Sequence, residues 1–230
     1  MLTVLSGLVL SSTHEVFVRI FPTTLAVVLA VSLLGCSAPA EQREVRWITL
    51  EQLFASLGNT APMAVGFDVD DTVLYSSPCF YEGQQTYSPG SNQYLQNMAF
   101  WARANGGCDR YSIPKDVARA LIAAHQRRGD TLYFITARPR TEGEQLTGIL
   151  RQTFAIEDMQ PVVFSSGPDK TRFIRDRGLR VYYGDSDNDI TSARDAGARP
   201  IRVMRASNST NQPLPVNGAL GEEVLMDSEH

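Results

Sequence analysis

The chain has 230 residues, 43% of them hydrophobic and 20% charged, with 21 Lys and Arg against 25 Asp and Glu for a formal net charge of −4. That length is ample for a buried core, and the composition excludes a disordered, collagenous or cysteine-stapled chain. The mildly acidic balance excludes general binding to a nucleic acid polymer, which needs a concentrated basic face, and the three histidines (His14, His125, His230) leave little for a His-rich metal site or a histidine phosphatase.

Residues 1–40 read as an address with a short linker, and residues 41–230 as the folded domain. The run FPTTLAVVLAVSLLGC (residues 21–36) follows Arg19, a positive flank, and precedes small residues. Such a run is short for a spanning helix and suits a secretory signal. Two processing sites compete. Ala38-Pro39-Ala40 has the small-x-small pattern of signal cleavage, and Leu33-Leu34-Gly35-Cys36 resembles a bacterial lipobox that would place a lipid on Cys36. A retained transmembrane anchor ranks third. Residues 2–10 are apolar without a basic flank, so a later translation start is expected. Export would leave Cys79 and Cys108 in an oxidising compartment, either paired or as two partly buried thiols.

Strands are expected at residues 64–69, 131–136, 161–164, 180–183 and 200–204. Helices are expected at 116–128, 142–154, 170–177 and 187–196, with Gly129, Gly178 and Gly197 as stops. Apolar strands alternating with helices of this length predict an α/β fold with a parallel sheet covered on both faces. Residues 72–112 break the alternation and are rich in aromatics: Tyr75, Phe80, Tyr81, Tyr87, Tyr94, Phe100, Trp101 and Tyr111. An insertion of that length after the first strand reads as a cap, most of whose aromatics form a satellite core.

Two acidic clusters end strands: Asp68-Val69-Asp70-Asp71-Thr72 and Asp185-Ser186-Asp187-Asn188-Asp189. Ligands of open parallel sheets bind outside the carboxyl ends of strands. Carboxylates gathered there need a cation, and an all-oxygen set suits Mg²⁺. Neither cluster has the Gly and Glu spacing of an EF-hand, no Cys is followed six residues later by Arg, and there is no Walker-type loop.

Phe67-Asp68-Val69-Asp70-Asp71-Thr72-Val73-Leu74 resembles motif one of the haloacid dehalogenase superfamily. From Val65 onward the chain is similar to the class B bacterial acid phosphatases. Further stretches carry the likeness: Ser76-Ser77-Pro78, Ser112-Ile113-Pro114-Lys115, Arg127-Arg128-Gly129-Asp130, residues 183–190 (YGDSDNDI) and residues 205–210 (RASNST). The resemblance implies a Rossmann-like sheet with a small cap after its first strand. It also implies an exported, Mg²⁺-dependent homotetramer, in the periplasm or lipid-anchored, that hydrolyses small phosphomonoesters including nucleotides and can transfer phosphoryl groups to alcohols.

The same resemblance assigns roles. Asp68 matches the nucleophile and Asp70 the general acid/base. Asp68, the Asp70 main-chain carbonyl and Asp185 match the metal ligands, and Asp189 a more distant or water-mediated partner. Thr136 and Ala137 match phosphate-binding positions, with Ala137 standing where the family usually has Gly and therefore needing a negative φ. Arg138 matches a basic residue near the leaving group, and Lys170 the lysine that neutralises the nucleophile and phosphoryl oxygens. The loop 165–169 before Lys170 is shorter than usual. Phe80, Leu95 and Trp101 match the wall of an apolar pocket, and Asn211 stands where that pocket typically has Tyr. Asp71 and Asp187 are expected to be turn or cap residues, and Arg172, Arg175, Arg177 and Arg180 solvated charges. The rival readings are a dedicated phosphotransferase or narrow nucleotidase, a non-catalytic surface lipoprotein binding metal or phosphate on the same fold, and an adhesin-like module without metal-dependent activity.

Overall fold

Alternating side chains of short apolar runs divide the core into two layers, one on each face of a parallel sheet. The computed structural model describes residues 44–230 except Asn59, so the expected signal, its processing sites and Cys36 lie outside the described residues. No described helix is long and apolar enough to cross a membrane. In chain order the strands and helices are β1 (Arg46–Ile48), α1 (Leu50–Leu57), β2 (Ala64–Phe67), β3 (Leu74–Tyr75), α2 (Ser77–Tyr87), α3 (Met98–Asn105), β4 (Ile113–Pro114), α4 (Asp116–Arg128), β5 (Thr131–Thr136), α5 (Leu146–Phe154), β6 (Val163–Phe164), α6 (Thr171–Asp176), β7 (Val181–Gly184), α7 (Asp187–Asp195), β8 (Arg199–Arg202) and β9 (Glu223–Leu225).

Seven strands pair in the order β1-β9-β8-β7-β2-β5-β6, and every pairing in that sheet is parallel. Val65, Phe67, Leu132, Phe134, Val181 and Tyr183 point to one face and pack with Leu53 of α1, Leu121 of α4 and Leu150 of α5. Ile135 and Tyr182 point to the other and meet Ile174 of α6 and Ala193 of α7. This period of two explains why the strands read as near-continuous apolar runs.

The helix at 116–128 has the expected bounds, and Gly129 ends it in the left-handed region at φ 76°. The next begins at Leu146, not at residue 142. Pro139 precedes a turn, and the Glu144 carboxylate accepts from the Thr147 backbone N–H (3.1 Å) and hydroxyl (2.8 Å), which fixes the start there. Outside the cap, β1, α1 and β9 were not anticipated; β9 and β1 extend the sheet beyond β8.

The insertion after β2 is a cap of two helices and two single-turn helices, Gln93–Gln96 and Cys108–Tyr111. Its neck is the antiparallel pair β3–β4. Phe100 centres its own small core, with ring centroids 4.9 Å from Tyr94, 4.8 Å from Trp101 and 5.5 Å from Phe80. Gly83 permits this, because a Cβ there would overlap the Phe100 ring. Cys79 and Cys108 form a disulfide across the cap, which decides between the two readings of these thiols.

Candidate active site

The carboxyl ends of β2, β5 and β7 lie side by side, and each delivers part of one cluster. Asp68 follows β2 and keeps the sheet pairing one step further, its N–H donating to the Tyr183 carbonyl at 2.8 Å. The chain then turns sharply. Asp71 takes φ 59°, and its N–H reaches the Leu74 carbonyl at 2.7 Å. That turn lets Asp68 and Asp70, two residues apart, face the same cavity of about 340 Å³. Asp71 itself is buried, with the Ser209 hydroxyl donating to its Oδ2 at 2.7 Å, and its role is that of a turn residue. Burial raises its carboxyl to about 6, helped by Asp185 and opposed by Ser209 and Arg205.

At the end of β7, Ser186 caps α7. Its hydroxyl accepts from the Asp189 N–H, while Asp189 Oδ2 accepts from the Ser186 N–H (3.1 Å) and hydroxyl (2.6 Å). This capping box folds Asp189 back over Gly184, where a Cβ would overlap its Cβ and Cγ. Its other oxygen is thereby aimed at the Lys170 ammonium, 2.7 Å away. Lys170 also donates to Asp68 Oδ1. Asp185 is held by Arg205 at 2.6 Å and by the Thr72 hydroxyl at 3.0 Å. Behind it, buried Arg202 donates to the Asp185 carbonyl (2.8 Å), Asp187 (2.7 Å) and Glu222, so Asp187 serves to anchor the loop.

Asp68, Asp185 and Asp189 each offer a carboxylate oxygen within 4.8 Å of the others, and all three are buried. Two cations, Lys170 and Arg205, face these three anions. The Thr72 hydroxyl lies 3.1 Å from Asp68 and 3.0 Å from Asp185 but has one proton to give. Burial pushes the Asp68 carboxyl well above the ordinary carboxylate range; Lys170 opposes this, and Asp189, Asp185 and Asp70 add to it. Burial raises Asp185 as well, against Arg205. An all-oxygen cluster one positive charge short fits a hard divalent cation.

Asp70 lies apart from this cluster. Burial would raise its carboxyl, but the charge and hydrogen bonds of Arg138 outweigh it and hold it below the ordinary range. Arg138 donates to both Asp70 oxygens, at 2.9 and 2.5 Å, and its far edge donates to both oxygens of Asp109, at 2.5 and 3.1 Å. Arg138 does line the cavity, but at 1% exposure its donors are committed to these two carboxylates and, at 3.4 Å, to the Asn105 side-chain oxygen. Thr136 departs further from expectation. It is fully buried, off the cavity wall, and its hydroxyl donates to Asp70 Oδ2 at 3.3 Å, because the strand end points it behind the acid. Ala137 lines the cavity, and it is absent from the residues with positive φ.

The cap supplies the opposite wall with Phe80, Leu95 and Trp101, together with Tyr94 and Asn92. Asn211 lies on the same wall beside Thr210 and Gln212. Arg172, Arg175 and Arg180 are exposed and Arg177 is half-buried, and none of the four lines the cavity. Sequence reading missed Thr72, Asp109 and the placement of Arg205. Thr72 has a near partner in Asp68, four residues back, but its contact with Asp185 spans 113 residues and that of Asp109 with Arg138 spans 29, and no local spacing signals such distant pairs.

Residues 40–213 match the model of a family described as HAD superfamily, subfamily IIIB (Acid phosphatase). The class B acid phosphatase of Enterobacter sp. strain 638 is 52% identical over 197 residues, which is 83% of this chain and 83% of that protein. The class B acid phosphatase of Salmonella arizonae is 51% identical over 197 residues, with the same coverage of each chain. Among solved structures, a predicted phosphoglycolate phosphatase from Haemophilus somnus superimposes with a TM-score of 0.50 at 15% identity, covering 75% of this chain and 97% of that one. That last likeness is one of fold alone.

Proposed function

Because this chain belongs to the acid phosphatases of haloacid dehalogenase subfamily IIIB, and is a phosphatase by that membership, we propose that it is an exported, Mg²⁺-dependent enzyme that hydrolyses small phosphomonoesters, nucleotides among them, through a phosphorylated Asp68. The observation that carries the reading is the meeting of Asp68, Asp70 and Lys170 on one cavity with an apolar far wall.

Asp68 attacks phosphorus. The bond from phosphorus to the leaving oxygen breaks as the bond to the Asp68 carboxylate forms. Asp70 gives its proton to the leaving oxygen, and the alcohol departs. Arg138 holds Asp70 below the ordinary carboxylate range, so its protonated form is favoured by acidic pH, and the incoming phosphoryl charge raises its proton affinity part of the way back. Water then attacks phosphorus, Asp70 takes its proton, and the Asp68 carboxylate is released with phosphate. An alcohol in place of water yields a new phosphomonoester, which is the transfer reaction. Lys170 neutralises Asp68 and the phosphoryl oxygens, the Ala137 backbone borders the same space, and Thr136 steadies Asp70. Asp68, Asp185 and the Asp70 carbonyl would hold Mg²⁺, with Asp189 as a further partner; bound there, the ion supplies positive charge for the phosphoryl oxygens.

Two observations support export: the apolar run of residues 21–36 and a disulfide in the cap, since such bonds persist in oxidising compartments. A lipid on Cys36 and assembly as a homotetramer belong to the same proposal through the family. The test is hydrolysis of p-nitrophenyl phosphate at mildly acidic pH, with Mg²⁺ and with EDTA, beside Asp68→Asn. Mg²⁺-dependent turnover reduced by about 10⁴-fold or more in Asp68→Asn is expected. Folded, Mg²⁺-loaded protein that binds phosphate without turnover would instead favour the non-catalytic binding protein.

A further inference from the structure

We propose that Asp109, a cap residue outside both acidic clusters, is a positioning residue that fixes the Asp70 carboxylate for proton transfer by holding the far edge of Arg138. The inference rests on the reading of Asp70 as the group that protonates the leaving oxygen.

Asp109 lies in the single-turn helix Cys108–Tyr111 at the base of the cap. It is 2% exposed, and the donors on its carboxylate are the Arg138 guanidinium and the Ser112 hydroxyl, the latter at 3.0 Å. Arg138 is therefore a planar bridge. One edge grips Asp70, the other grips Asp109, and each grip uses two hydrogen bonds. A third contact comes from the Phe80 ring, whose centroid is 5.5 Å from Arg138 Cζ.

The bridge solves a problem that a lone Asp70–Arg138 pair would leave open. A phosphoryl group entering the cavity is a stronger anion than Asp70 and competes for the guanidinium. With its second edge free, Arg138 could swing onto phosphate, and of its three bonds from Arg138 and Thr136, Asp70 would keep only the longest, from the Thr136 hydroxyl at 3.3 Å. Asp109 commits that second edge, so the guanidinium keeps its plane and Asp70 keeps its direction. It also shares the positive charge, so Asp70 does not bear the whole of it. Two of the three cap contacts of Arg138 neighbour the disulfide in sequence: Phe80 follows Cys79, and Asp109 follows Cys108, while the third is the Asn105 side-chain oxygen, which accepts from Nη1 at 3.4 Å. The covalent link thus ties together the two cap segments that locate Arg138.

The experiment compares kcat/KM for two phosphomonoesters in the full chain with Mg²⁺. The p-nitrophenolate group leaves without a proton, whereas the alkoxide of glycerol phosphate needs one. Asp109→Asn is expected to lower kcat/KM for glycerol phosphate roughly ten- to hundredfold more than for p-nitrophenyl phosphate, a part of the roughly 10²–10⁴-fold that a general acid contributes in full. Asp70→Asn, measured beside it, is expected to show the same bias more strongly. Ser112→Ala removes one hydrogen bond from Asp109 and carries the same test in milder form if Asp109→Asn does not fold. Equal losses on both esters, or none, in a folded Asp109 or Ser112 variant while Asp70→Asn keeps the bias would overturn the role of Asp109 alone. Equal losses in Asp70→Asn would overturn the reading of Asp70 and the inference with it.

Discussion

The sheet end and the cap bring side chains to one cavity from backbones held in different ways. Asp68 and Asp185 stand just beyond parallel strands whose two faces are both buried, and Lys170 heads α6, its N–H held by the Ser192 hydroxyl of α7. Phe80, Leu95, Trp101 and Asp109 stand on short helices around a core centred on one aromatic ring, with a disulfide across it. A small core buries too little apolar surface to be rigid alone, and small units commonly recruit such a staple. The division suits the work. Groups that meet the phosphoryl centre and the leaving oxygen need fixed geometry for every substrate, whereas groups that meet the apolar remainder of the leaving group need only to be gathered around it. The Asp70–Arg138–Asp109 bridge is where the two regions are joined.

The largest effect within this comparison is expected on the sheet side. Lys170→Ala leaves Asp68 and Asp189 buried beside each other without their shared counter-charge. It should lower kcat by roughly 10²–10³-fold, the scale of losing one preorganised electrostatic partner of the transition state. The loss should be the same factor for aryl and alkyl phosphomonoesters, measured by steady-state kinetics on protein whose fold is checked by circular dichroism. A loss confined to one ester class would break the division between the two regions.

The next effect is expected on the cap. Replacing both cysteines (Cys79→Ser with Cys108→Ser) opens a link spanning 29 residues. Loop closure of that length is worth roughly 3–4 kcal/mol. The cap, not the sheet, should carry the loss: limited proteolysis should cut within residues 72–112 while the remainder stays resistant. Cleavage spread evenly over the domain would show that cap and sheet melt as one unit.

What the sequence made legible follows the same line. Strands at 131–136 and the helix at 116–128 announced themselves because several residues in a row obey one period. β1 did not, since two of its three residues are exposed and no period fits so short a run. Asp68, Asp70 and Asp185 were legible as carboxylates ending apolar runs, and the family motif gave them roles. The cap was legible as an aromatic-rich interruption, but its single-turn helices repeat nothing, and its cysteine pair left two readings open. Arg205 and Asp109 were illegible because a buried ion pair is a fact about distant partners, and each residue alone reads as an ordinary charge.

The smallest effect tests the apolar wall where it is most exposed. Leu95 lines the cavity with 37% of its surface accessible, and it is not part of the aromatic core around Phe100. Leu95→Ala should therefore leave the cap folded and the chemistry untouched. It removes a few methyl and methylene contacts, of which a bound aryl group covers only part. The expected cost is about 1 kcal/mol of binding, or a roughly fivefold rise in KM for p-nitrophenyl phosphate. For glycerol phosphate, which offers that wall little apolar surface, KM should stay within about twofold, because the hydrophobic gain scales with the apolar area removed from water. An unchanged kcat on both esters would keep Leu95 on the side of leaving-group fit. A fall in kcat on the alkyl ester would instead couple this wall to the Asp70–Arg138 bridge and move the boundary between the two regions.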